Sequence, residues 1–316
     1  MELNVPKLDT EAVSLDSVSL WNITRRRLFR RRSAVIGMVI LGILILIALT
    51  AQWLAPYDPI KSMLDVKEYP KPVEKRLPPC IHAFGCPEDK PQHIMGLDGN
   101  IRDEFSRLLY GGRLSLVIGL ATVTFAIFIG TVLGALAGYL GGWADNAIMR
   151  VMDVLLAFPS LLLAIAIVTV LGSGLINALL AIGIVSIPAY ARVVRGSVLS
   201  IREMDYVSAT RSLGGNTYEI LFGRILPNAL TPLIVQGTLG IASAILDAAA
   251  LSFLGLGAQP PTPEWGSMLG AERNQVFTAP HLVFYPGLAI MLTVLAFNLL
   301  GDGLRDALDP RLAHVS

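Results

Sequence analysis

The chain has 316 residues, 53% of them hydrophobic and 16% charged, with a formal net charge of +1. A charged fraction well below the ~25% of soluble domains, with a mean hydropathy of +0.61, excludes an ordinary water-soluble domain. Near-neutral charge gives no case for nucleic acid.

Residues 1–16 are acidic and polar without periodicity, which predicts an unstructured start. Arginines at 25–27 and 30–32 then precede the first apolar run. Val18, Trp21, Leu28 and Phe29 among them predict an amphipathic helix lying at a membrane surface. A basic cluster this close to a span stays on the cytoplasmic side, so residues 1–33 read as a cytoplasmic tail.

Six runs are long enough to cross ~30 Å of hydrocarbon: about 34–55, 114–138, 149–172, 175–191, 227–252 and 283–303. The fold class is therefore all-α and polytopic, with a core over 114–303. Six crossings place both termini on the inner side, including a tail at 304–316. Arg192, Arg195, Arg202, Arg211 and Arg224 gather on one inner loop, 192–226, as the same rule requires.

The 56–113 segment is external and holds both cysteines, Cys80 and Cys86. A C-x5-C pair between prolines can close a small disulfide loop outside the membrane. The alternatives are free thiols, or a metal site with His82 or His93, for which no convincing fourth ligand is present. Asp98, Arg102, Asp103, Arg107 and Arg113 fall just outside the second span. There they can meet a binding protein or line a pore entrance, or simply pair within a loop. Gly130, Gly134 and Gly138 permit close helix packing in lipid. Arg150 and Asp153, three residues apart, predict an ion pair on one helix face. Pro159, Pro188, Pro232 and Pro286 can each bend a helix.

Glu203–Pro227 is a polar interruption between two apolar spans. Tyr206, Ala209, Thr210 and Leu213 share one side of a short helix, with Ser208 beside them. Gly214-Gly215 stops that helix. Asn216 and Glu219 have capping-box spacing and start the next, and Leu226-Pro227 returns the chain to apolar sequence. A helix-turn-helix held outside the bilayer suits docking to a soluble partner. Further on, Asp247 lies in the fifth span, where a carboxylate can line a pathway or cap a helix break. Asn298 and Asp302 stand toward the inner end of the last span. No Gly-Lys-Ser/Thr phosphate loop and no H-E-x-x-H occur, and the four histidines lie outside the spans.

The 203–227 string resembles the signature loop of ABC-importer permeases, E-A-A-x3-G-x9-I-x-L-P. Ser208-Ala209-Thr210 stand at its triplet, Gly214 at its glycine and Leu226-Pro227 at its end. Ser208 replaces the glutamate and Arg224 an isoleucine. HIMGLDGNIRDEFSRLLYGGRLSL at 93–116 resembles the segment before the core of dipeptide/oligopeptide permeases, with Leu97 and Ile101 in place of Thr and Gly. GAQPPTPEWG and the strings at 137–165, 190–214 and 286–312 extend the likeness over roughly 20–312, leaning to the dipeptide branch.

The resemblance implies a non-catalytic subunit in the inner (plasma) membrane, forming the path for di- or oligopeptides among membrane lipid. Its implied partners are a second related permease, two ATPase subunits that bind ATP and Mg, and an external substrate-binding protein. The chain itself would carry no cofactor and no catalytic or metal residues. Glu203, Tyr206, Ala209, Leu213, Gly214 and Pro227 would couple it to the ATPases. Asp247, Asp98 and Arg102 are candidates for the pathway. The other readings are a permease for nickel or another small solute, and an ion-driven secondary transporter or channel. The last would need paired acids deep in several spans.

Overall fold

The computed structural model describes residues 20–67 and 69–308; the expectations for residues 1–16, Val18, His314 and the end of the last tail lie outside them. Ten α-helices and no β-strand occur among the described residues. α1 (Leu20–Arg30) occupies the expected surface-helix position and breaks at Arg31, whose backbone is extended, into α2 (Arg32–Leu54). Small residues of α2, including Ala34, Gly37, Ala48 and Ala51, are buried. A Cβ on Gly37 would stand 2.8 Å from the Ala296 carbonyl oxygen, so that glycine lets two helix backbones touch. The rest of α2 is open: Ile36, Val39, Ile43, Leu46 and Leu49 are exposed as a lipid-facing stripe would be.

α3 (Glu104–Leu140) is 37 residues long and starts ten residues before the expected span, because Asp103 caps it by accepting the Ser106 N–H. Gly141 turns the chain into α4 (Gly142–Leu156), and Pro159 heads α5 (Ser160–Leu171). The expected third span is thus two helices bent by 92°. The break fits Pro159, which offers no N–H to the carbonyl four residues back. α6 (Leu175–Arg202) runs about three turns past its expected end, so residues 192–202 are helix rather than loop. α7 (Asp205–Ser212) follows. A π-helical turn (Glu219–Ile225) then leads without a break into α8 (Leu226–Phe253). α9 (Trp265–Glu272) and α10 (His281–Leu308) complete the order.

The core lies where α3 meets α6, with α8 against both. Gly130 of α3 faces Ile187 and Tyr190, Gly134 faces Ala191 and Val194, and Gly138 faces Arg195 and Val198. The numbers rise together, so α3 and α6 run parallel. Two parallel helices need a return crossing between them, and only the bent pair α4–α5 can supply it. The pair therefore counts as a span, and six crossings result. Contacts at both ends agree. Gly174, before α6, donates its N–H to Leu256, after α8, while Arg202, ending α6, donates to the carbonyls of Gly138 and Tyr139.

The end of the bundle that bears α4 carries one correction. Asp153 pairs with Arg192 of α6 at 2.6 Å, not with Arg150 on its own helix. Asp145 likewise takes the Arg195 guanidinium through both carboxylate oxygens. Reaching α6 ties two helices together, which a same-helix pair cannot do.

Candidate functional site

The 203–227 loop is a compact hairpin. In α7, Val207 is fully buried and belongs to the cluster that contains Ile220, Leu221 and Ile225. The opposite side is open: Tyr206 and Leu213 are 40% and 89% exposed, and Ser208 and Ala209 also face outward. Thr210 and Ser212 hydroxyls donate back to the Tyr206 and Ser208 carbonyls, keeping their polarity within the helix. Glu203 ends α6 and accepts from Arg202 at 3.0 Å.

Gly214 has φ +87, the left-handed turn a helix end asks of glycine, and the space around it is empty. The second helical stretch starts as expected: Asn216 Oδ1 accepts the Glu219 N–H at 2.8 Å. Its widening into a π-turn was not legible as such. Pro227 has no N–H for the carbonyl four residues back, and the Leu226 N–H bonds Leu221, five back. The Arg224 carbonyl accepts from the Asn228 side-chain amide at 2.8 Å and from the Tyr206 hydroxyl. Tyr206 thus closes the hairpin while leaving much of its ring outside. Met204, Leu213, Tyr218 and Phe222 also stand exposed here. These aromatic and aliphatic groups together form an exposed apolar surface, the kind that marks a contact with another protein.

The segment between α2 and α3 forms a cap over the start of α3. Cys80 and Cys86 are joined, with Cα atoms 5.4 Å apart, and His93 is engaged elsewhere. Its Nδ1 lies 2.8 Å from Asp103 and its Nε2 2.6 Å from the Tyr69 hydroxyl, all three groups being buried. Burial first, then the nearby Tyr57 and Asp103, pushes Tyr69 up to about 12. The Asp103 carboxylate accepts the Nδ1–H, and the protonated phenol lies against Nε2. No cluster of metal-ligating side chains occurs among the described residues.

Asp98 and Arg102 are 4% and 8% exposed and bond each other at 2.7 Å. Asp98 also accepts the N–H groups of Asn100 and Arg102, and Arg107 lies 3.5 Å away. Their bonding capacity is thus used inside the cap. Asp247 is half-buried on α8, with no ion pair among the described residues. The sequence reading missed Glu264 and Glu272. Glu264 is buried and caps α9 by accepting the Gly266 and Ser267 N–H groups. An acidic residue directly before a short helix was the available signal.

The chain is thus a helical membrane protein with an exposed helical hairpin at one end and a folded cap at the other. The profile for binding-protein-dependent transport system inner membrane components matches residues 130–314, and that for the N-terminal transmembrane domain of oligopeptide transport permease C matches 19–79. A di/tripeptide transport system permease protein, DppC, of Pseudomonas aeruginosa is 48% identical over 90% of each chain. A glutathione transport system permease protein, GsiD, of Pectobacterium atrosepticum is 47% identical over 92% of this chain and 91% of that one. The inward-facing MetNI methionine ABC transporter aligns over 64% of this chain and 97% of its own, with TM-score 0.51 and 21% identity, a likeness of fold. The chain belongs to the family of binding-protein-dependent ABC transport permeases, of the dipeptide type. It is a membrane component of a transport system and not itself an enzyme.

Proposed function

We propose that this chain forms half of the translocation path of an ATP-driven importer for short peptides. A second, related permease supplies the other half. Two ATPase subunits, which bind the ATP and Mg, dock on the 203–227 hairpin, and an external binding protein delivers the peptide. Both termini face the cytoplasm in this reading. The observation that carries it is the hairpin itself: Val207 anchors it inward while Tyr206, Ala209 and Leu213 are presented outward around Gly214. Closure of the ATPase pair would move the hairpin, and α8, continuous with its π-turn, would follow as a near-rigid body. Asp247, in the outer half of α8, is the carboxylate we assign to the path, where it attracts a protonated peptide amino terminus.

One uptake assay in proteoliposomes tests both assignments. Gly214→Val puts a β-branched residue at φ +87, so it should misplace the turn and lower ATPase binding and uptake together. Unchanged uptake with unchanged binding would sink the docking role. Asp247→Asn should reduce uptake of free-amine peptides more than of N-acetylated ones, and equal loss for both would assign Asp247 to packing.

A further inference from the structure

Glu272, the last residue of α9, is 6% exposed, and its acceptors are directed into the cap. Oε2 accepts from Nε of Arg76 and Oε1 accepts the Gly99 N–H, both at 2.8 Å. These donors lie 196 and 173 residues away in sequence but sit in one knot. The Arg76 N–H bonds the Asp98 carbonyl, the Leu97 N–H bonds the Leu77 carbonyl, and the Asp98 carboxylate closes the turn at 98–102. Arg76 and Ile101 of that knot hold left-handed backbones, at φ 58 and 60, a conformation that persists in such residues only where the surroundings impose it. A Cβ on Gly99 would stand 2.6 Å from Glu272 Oε1, so the approach is as close as backbone allows.

The other side of α9 has no slack either. Trp265 donates its Nε1–H to the Leu108 carbonyl and lies against Gly111 and Gly112 of α3. A Cβ on Gly266 would run into the Ala249 backbone of α8, and one on Gly270 would come within 2.6 Å of the Phe253 carbonyl oxygen. α9 is thus a wedge fitted into α3 and α8, and Glu272 joins that wedge to the cap.

We infer that Glu272 is a positioning residue of transport: it transmits a load on the external cap, applied by the docked binding protein, to α8. From α8 the displacement reaches the inner hairpin through continuous helix, since the π-turn joins α8 directly. The inference rests on the importer reading above and adds the route from the delivery side to the docking side. Arg76 acts with it as one unit, because each presents its polar group to the other.

The test uses the reconstituted complex of this chain with its partner subunits, measuring ATP hydrolysis with and without the substrate-loaded binding protein. Glu272→Gln keeps the shape and weakens both contacts. It should cut the stimulation by the binding protein about five- to tenfold, the lower range of coupling between distant sites, while the unstimulated rate and thermal midpoint stay near the parent's. Arg76→Gln should do the same, and the double variant should be no worse than either single one. Unchanged stimulation in Glu272→Gln would overturn the inference. So would a parallel fall in both rates and in the thermal midpoint, the mark of a structural role alone. If the parent chain itself shows no ATP-driven uptake, the importer reading fails instead.

Discussion

Ile101 stands where the resembled family has glycine, and its backbone shows why a glycine fits: φ is +60. A β-branched residue in the left-handed region carries a penalty of roughly 1–2 kcal/mol. Its compensation is burial, since Ile101 is 5% exposed in a cluster with Met63, Tyr69 and Leu97. Ile101→Ala should lose the burial and keep the strain, whereas Ile101→Gly should lose the burial and release it. The glycine variant should therefore be more stable than the alanine variant by about 1 kcal/mol and melt at a higher temperature, reversing the usual order. Thermal denaturation in detergent measures it, and the ordinary order would show that the backbone relaxes at this position. The sequence displayed Asp98, Arg102 and Asp103 as polar groups near a span mouth. It could not display that they bond inward, because burial is decided by Met63, Arg76 and Tyr69, distant in sequence. His93 is the same case: its partners lie 24 and 10 residues away.

At the scale of elements, apolar length located the five long apolar helices and the bent pair α4–α5. The signal failed at boundaries, where capping and proline decide, as at Asp103 and Pro159. Helix partners were equally hidden, since hydropathy does not say which faces meet. The glycines of α3 illustrate what packing adds. A Cβ at Gly134 would strike the Ala191 carbonyl oxygen of α6, whereas Gly42 of α2 has nothing within 4 Å. Gly134→Val should cost about 1–3 kcal/mol by forcing α3 and α6 apart, with a matching loss of folded yield. Gly42→Val should stay within roughly 0.5 kcal/mol of the parent. Similar melting temperatures for the two would mean that the α3–α6 seam is not closely packed in the folded protein.

For the whole molecule, the parallel course of α3 and α6 makes the bent pair a crossing, which fixes the sides of every loop once one is known. In a cysteine-free background (Cys80→Ser, Cys86→Ser), Trp143→Cys should react with an impermeant thiol reagent only from the cytoplasmic side. Ser173→Cys should react only from the outside. Labelling of both from one side would make α4–α5 a re-entrant loop. The same geometry bears on the bilayer itself. At 1.5 Å per residue α3 is about 55 Å long, far more than ~30 Å of hydrocarbon, yet protein clads it at both ends, by Trp265 at Gly111–Gly112 and by Val198 at Gly138. Its surplus at the Glu104–Gly112 end, where no residue is exposed, is thus shielded from lipid. α2, about 34 Å long with one side open from Ile36 to Trp53, has no such shield. Hydrophobic mismatch therefore falls on α2, and this peripheral helix, rather than the helices that pack the core, registers a change in membrane thickness.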